Sequence, residues 1–107
     1  MIEYLAAPYG HPDPNVREQR MRTFYQWDAK LSLDGHYLVS PLYKVETAKH
    51  GDVPDTWAYW EQYCYELLAR CDRLIVLKID GWDTSKGVTG EIEYCRKHGI
   101  PITYIDV

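Results

Sequence analysis

Apolar residues fall in four short runs along the chain, separated by longer segments of mixed polarity. The runs span residues 2–6, 36–40, 74–79 and 102–105. Runs of this length between turn residues predict β-strands. The run at 74–79 is apolar except for Lys78 and is rich in β-branched residues. This composition predicts a strand that is covered on both faces of a sheet.

Three intervening segments have the spacing of amphipathic helices. The first runs from about residue 14, after a cap at Asp13 or Asn15, to Leu33; the second runs from a cap at Asp55 to Cys71; the third runs from a cap at Thr84 or Ser85 to Gly99. Residues 42–54 have no periodicity, which predicts a long loop of the kind that serves as a lid or an interface element.

The alternation of strands and helices predicts an α/β fold. Strands that are separated by helices pair in parallel through right-handed crossovers. We therefore expect a three-layer sandwich with a four-stranded parallel sheet in the order 2-1-3-4, a flavodoxin-like or Rossmann-like arrangement. Residues 1–107 suffice for one such domain.

Composition narrows the classes of function. The net charge of -4 argues against non-specific binding of nucleic acid. No stretch is long and apolar enough to cross a membrane, and the first residues, MIEYLAAPYG, have too short an apolar run for export. The three cysteines form no CxxC pair, so we expect reduced thiols and a cytoplasmic location.

Glu91 is the first candidate for chemistry. It lies about 60° from Val88 around the third helix, at the edge of the buried stripe, whereas Glu93 points to solvent. The helix follows the third strand, and open α/β sheets bind ligands beyond the carboxyl ends of their strands. The alternative is that Glu91 is an ordinary surface residue of a surface helix.

Arg20 is a second candidate, because it shares the apolar face of the first helix. A cation in that position reaches the end of the sheet, a partner or a ligand, or it extends to solvent or a loop acid. The glycines match neither a dinucleotide-binding motif nor a phosphate-binding loop, and the histidines lack metal-ligand spacing with the cysteines. We therefore expect neither a cofactor nor a metal.

Three segments, YLAAPY, CDRLIVL and DGWDTSKGVTGEIEYC, occur in an order that resembles the nucleoside 2-deoxyribosyltransferase superfamily, specifically its small phage and bacterial branch. The resemblance covers nearly the whole chain. Family enzymes carry the motif D-x-G-x-x-x-E, whose Glu is the nucleophile. Gly87 and Glu91 match this motif, and Ser85 stands in place of the Asp. Two further departures are Ala7 in place of a Gly and Cys64 in place of an Asp or Asn.

The resemblance implies cleavage or exchange of the N-glycosidic bond of a deoxynucleoside, a nucleoside or a nucleoside 5′-monophosphate, with Glu91 attacking the sugar C1′. Hydrolysis of a monophosphate is favoured over base exchange. The other expected roles are a proton donor to the base (Asp80 or Asp83), stacking on the base (Tyr9 and Trp82), and contacts to a phosphate or a sugar hydroxyl (Ser85, Gly87 and Arg20).

Two other interpretations remain open at this point. The departures at Ser85 and Cys64 favour a module that binds a nucleotide or sugar phosphate without turnover. The third interpretation is an α/β interaction protein whose many aromatic residues serve oligomerisation. Family members are oligomers that complete each other's pockets, so the resemblance also implies at least a homodimer.

Overall fold

The computed structural model describes residues 1–107 as an alternation of strands and helices. The strands are β1 (Glu3–Ala6), β2 (Leu38–Val39), β3 (Arg73–Lys78) and β4 (Ile102–Asp106). The helices are α1 (Pro14–Leu33), α2 (Lys44–Ala48), α3 (Trp57–Leu68) and α4 (Lys86–His98), and a 3₁₀ turn at Pro41–Tyr43 leads into α2.

The four strands form one parallel sheet in the order β2-β1-β3-β4. The predicted α/β fold, the parallel pairing and the strand order are therefore confirmed. The two central strands pair along the full length of β1, from Glu3 opposite Arg73 to Ala6 opposite Val76. None of the helices combines the length and the apolar character needed to cross a membrane.

Each face of the sheet carries its own hydrophobic core, because successive residues of a strand point to opposite faces. Tyr4 and Ala6 of β1 pack with Leu68 of α3 and Val88 of α4. Leu5 on the opposite face packs with the α1 side chains Phe24 and Leu31. The sheet thus lies between α1 on one side and α3 and α4 on the other, as a three-layer sandwich.

The edge strand β2 and the segment after it differ from the prediction. β2 has two residues, because Ser40 caps the 3₁₀ turn by accepting a hydrogen bond from the Leu42 amide at 3.2 Å, and Pro41 has no N–H for a ladder. The predicted loop at 42–54 contains α2, a helix of five residues that is too short to produce a periodic pattern. Helix α3 begins at Trp57, and its cap is Thr56, whereas the sequence predicted Asp55 as the cap.

Candidate functional site

An open cleft of about 900 Å³ lies at the carboxyl end of β1. Ala6 and Ala7 line it from the sheet, and Ser85, Gly87 and Glu91 line it from the start of α4. The loop after β1 and residues of the 41–57 segment form its other walls. The volume is in the range of small-molecule sites, and the position is the one at which open α/β sheets bind ligands.

Glu91 is the buried acid of this cleft, with 4% of its surface exposed. The Tyr4 hydroxyl donates a hydrogen bond to Glu91 Oε2. Burial raises the pKa of Glu91 to about 7, while the Tyr4 hydroxyl and the Cys64 thiol act to lower it. No Lys, Arg or His forms an ion pair with this carboxylate. The cost of its burial is therefore offset only by neutral groups.

The local structure of α4 directs Glu91 into the cleft. Ser85 caps the helix by accepting a hydrogen bond from the Val88 amide at 3.2 Å. Glu91 lies on the buried face of α4, three residues after Val88 and four residues before Cys95. Helical side chains lean toward the amino terminus, which here is the end of α4 that lines the cleft. Glu93 is exposed, as predicted.

The two neighbours of Glu91 are neutral at ordinary pH. Burial, followed by the charge of Glu91, raises the pKa of the Tyr4 hydroxyl far above its usual range. The same two causes raise the pKa of the Cys64 thiol to about 12. Cys64 therefore has the character of an unreactive thiol and not of a nucleophile.

The structure brings four of the predicted site residues together. Tyr9, Ser85 and Gly87 line the same cleft as Glu91. Helix α4 also lies close to the indole of Trp57: a Cβ on Gly87 would lie 3.5 Å from Trp57 Cε3, and one on Gly90 would lie 3.0 Å from Trp57 Cζ2. Glycine at position 90 thus lets this tryptophan form part of the cleft wall.

Asp80 and Arg20 lie outside the cleft and contact each other. Arg20 Nη2 donates to the Asp80 carbonyl at 3.0 Å, and Nη1 donates to the Gly10 carbonyl at 2.8 Å. The guanidinium therefore links the loop after β1 to the loop after β3. The Asp80 carboxylate is exposed. A positive φ of 93° at Gly81 turns the chain there, and a Cβ on Gly81 would clash with the guanidinium.

Trp82 and Asp83 also lie elsewhere, in a shallow depression that they share with Glu93 and Arg96. The ring of Trp82 packs edge-on against Tyr104, with 5.7 Å between centroids. Lys78 Nζ lies 5.7 Å from the Trp82 ring centroid. Neither residue is placed to contact a ligand that reaches Glu91.

Several residues of the cleft were not singled out from the sequence. They are the tryptophans Trp57 and Trp60 and the basic residues His11, Arg17, Lys44, Lys49 and Lys86. Tyr4 was not singled out either; it does not line the cleft, but its hydroxyl donates to Glu91. The helical spacing of Trp57 and Trp60 indicated an inward face without indicating a cavity beside it. Trp60 is held by a 2.7 Å hydrogen bond from its Nε1 to the Pro54 carbonyl. No group of three or more potential metal ligands occurs.

Residues 1–106 match the family described as a domain of unknown function (DUF1937), and the chain belongs to that family. No curated protein matches the chain.

Proposed function

We propose that this protein cleaves or exchanges the N-glycosidic bond of a deoxynucleoside, a nucleoside or a nucleoside 5′-monophosphate, with Glu91 as the nucleophile. The observation that carries the proposal is the Glu91 carboxylate, which is buried in the cleft wall without a cation and has a pKa raised to about 7. A strongly perturbed acid in a cleft is typical of a catalytic group. Gly87 and Glu91, the residues that match the motif of the resembling superfamily, both line this cleft.

The reaction proceeds in two displacements. A Glu91 carboxylate oxygen attacks C1′, and the electrons of the C1′–N bond pass to the base, which takes up a proton. Water, or the nitrogen of a second base, then attacks C1′ of the glycosyl ester, loses a proton and releases the carboxylate. With a pKa of about 7, a substantial fraction of Glu91 is ionised at neutral pH. The Tyr4 hydrogen bond orients that carboxylate.

The walls of the cleft supply the remaining roles. Tyr9, Trp57 and Trp60 line the cleft and are the aromatic side chains we assign to contacts with the base. Asp80 and Asp83 do not line the cleft, whereas His11 does. We assign the proton donation to His11, because it is the histidine that lines the cleft and histidine is the side chain most often used as a general acid or base.

A second candidate function is binding of a nucleotide or sugar phosphate without turnover. The observation that favours it is Cys64, which lies beside Glu91 where the resembling enzymes carry an acid or an amide. Its thiol is neutral, with a pKa raised to about 12, and provides no carboxylate to orient the nucleophile. Both functions use the same cleft and differ in whether C1′ reacts.

The test is release of free base, measured by chromatography after incubation with each deoxynucleoside and ribonucleoside and its 5′-monophosphate. A second free base is added in parallel reactions to detect exchange. We expect Glu91→Gln to reduce release by about 10³-fold or more. The matched control is Glu93→Gln on the exposed face of the same helix, which leaves the rate unchanged.

A covalent trap provides an independent measurement. A 2′-fluoro nucleoside analogue slows the second displacement, so its sugar accumulates on Glu91 and adds mass to the peptide that contains this residue. Undiminished base release by Glu91→Gln would contradict the nucleophile assignment. Ligand binding by the wild-type protein without release of any base would favour the binding module.

A further inference from the structure

The charges that line the cleft are opposite in sign to those of the whole chain. Four of the chain's 12 Lys and Arg residues line the cleft, but only two of its 16 acids do. The cations are Arg17, Lys44, Lys49 and Lys86, with His11 beside them, and the acids are Asp55 and Glu91. The net charge of the chain is -4, whereas the cleft carries more cations than acids, so a negative ligand is attracted to the cleft in preference to the protein as a whole.

These cations converge through folding and do not form a single run along the sequence. Arg17 comes from α1, Lys44 from the start of α2, Lys49 from the residue that ends α2, and Lys86 from the first turn of α4. Arg17 is held in place because its Nη1 donates to the backbone carbonyls of His11 and Pro12. A site assembled from three helices binds one ligand from several directions.

The lysines are available to a ligand. Lys44 and Lys86 form no ion pair. Lys49 pairs with Glu46 at 3.1 Å, but both side chains are more than 60% exposed. Exposed pairs of this kind contribute little to stability and are readily exchanged for another partner.

None of the cations neutralises Glu91, so their presence is not explained by the buried carboxylate. A free nucleoside is uncharged and makes no ionic contact with them. A ligand that contacts both the basic walls and Glu91 places a negative group at the cations and its uncharged sugar carbon C1′ at the carboxylate. Phosphate is the anion that Lys and Arg bind through charge-assisted hydrogen bonds.

We propose that the cleft selects a nucleoside 5′-phosphate over the free nucleoside, with the phosphate held by Lys86, Lys44 and Arg17. The nucleoside part of this ligand rests on the function proposed above, and the phosphate part rests on the cations. Ser85 lies next to Lys86 and lines the cleft; its hydroxyl oxygen accepts from the Val88 amide, and its O–H is left to donate to a phosphate oxygen.

Titration calorimetry with the Glu91→Gln protein measures binding without turnover. The probes are the common deoxynucleoside and ribonucleoside 5′-monophosphates, the matching nucleosides, and inorganic phosphate as a competitor. We expect the best monophosphate to bind at least tenfold more tightly than its nucleoside, and the difference to shrink in high salt. Lys86→Gln and Lys44→Gln each lower the affinity for the monophosphate about tenfold and leave that for the nucleoside unchanged.

Lys97→Gln is the matched control, because Lys97 is an exposed lysine of the same helix as Lys86 and does not line the cleft. It should change neither affinity. Equal affinity for nucleoside and monophosphate, or binding of neither, overturns the phosphate proposal. If the monophosphate is preferred and yet no base is released by the wild-type protein, the phosphate proposal stands and the cleavage proposal fails. If the wild-type protein releases base but binds nucleoside and monophosphate equally well, the cleavage proposal stands and the phosphate proposal fails.

Discussion

Two glutamates are almost equally buried in this protein, but their surroundings differ. Glu3 is 6% exposed and Glu91 is 4% exposed. At the amino end of β1, Glu3 lies 2.6 Å from His36 Nδ1 and 3.8 Å from Arg73 Nε. Glu91, at the cleft, contacts the hydroxyl of Tyr4 and has no cation beside it. Glu3 and Tyr4 are successive residues of β1, so they direct their side chains to opposite faces of the sheet.

The comparison shows that burial alone does not define the role of an acid. Arg73 and the His36 imidazole beside Glu3 offset its loss of hydration and connect β1 to the residues that precede β2 and begin β3, which is a structural task. The carboxylate of Glu91 has only neutral partners, and its pKa is raised to about 7. A perturbed acid in a cleft is typical of a catalytic group, which is the role proposed above for Glu91.

The largest expected effect concerns the pH dependence of stability. Folding raises the pKa of Glu91 from its ordinary value of 4.5 to about 7, so the folded state holds a proton that the unfolded chain has lost. The contribution of Glu91 to stability therefore falls as pH rises through this window, by about 3 kcal/mol in total. We expect Glu91→Gln to be more stable than wild type by up to that amount at pH 8 and to match it at pH 4. Urea unfolding at both pH values measures the difference, and an equal effect at both would contradict it.

The opposite sign is expected for the other glutamate. Glu3→Gln keeps the shape of the side chain but leaves Arg73 and His36 without their carboxylate. Breaking a buried pair is strongly destabilising, and the partial exposure of Arg73 and His36 reduces the cost to about 2 kcal/mol. The same urea titrations at pH 8 provide the measurement, with the exposed Glu93→Gln as the unaffected control. A stabilised Glu3→Gln protein would remove the contrast between the two sites.

The parts of the fold that were predictable are those in which each residue is constrained by burial. β1 and β3 are covered on both faces, so their apolar runs stand out and define the order of the sheet. Edge strand β2 is half-exposed and two residues long, and α2 has five residues, so neither leaves a periodic signal. Short elements of this kind depend on tertiary contacts for their existence.

The residues of the candidate site also divide into those that the sequence predicts and those that it does not. Glu91 and Gly87 lie on a regular helix, where spacing gives the direction of a side chain. Asp80 lies in a loop whose course depends on the positive φ of Gly81, and no periodic rule predicts where such a side chain points. The sequence predicts Tyr4 only as a residue of an apolar strand. A pattern of burial does not reveal that its hydroxyl contacts an acid 87 positions later.

Tyr4→Phe tests the neutral partner of Glu91. The substitution removes the hydrogen bond that lowers the pKa of this carboxyl, so that pKa should rise from about 7 by about one unit. If ionised Glu91 is the nucleophile, the rise of kcat/KM with pH moves to higher pH by the same amount. NMR titration of the side-chain carboxyl carbon follows the shift without relying on activity. Tyr43→Phe is the control, because its hydroxyl donates to Asp28 at 3.1 Å, away from Glu91. An unchanged titration in Tyr4→Phe would show that this hydrogen bond does not tune Glu91.

The smallest expected effect is at the outer end of the Glu3 network. Arg73 Nη1 donates to Thr103 Oγ1 at 2.8 Å, which extends the network from β1 through β3 to β4. Thr103→Val removes this acceptor with little change in volume and should cost about 1 kcal/mol in the free energy of unfolding. Because Glu3 and Thr103 share Arg73 as a partner, the double variant with Glu3→Gln should depart from additivity by about 0.5 kcal/mol or more. Thr103→Val combined with Tyr4→Phe should be additive, since those two residues share no hydrogen-bond partner. Coupling in the second pair would mean that the Glu3 network and the surroundings of Glu91 are not energetically separate, and the contrast between the two buried acids would no longer hold. Additivity in the first pair would mean that Arg73 does not link Glu3 to Thr103 energetically.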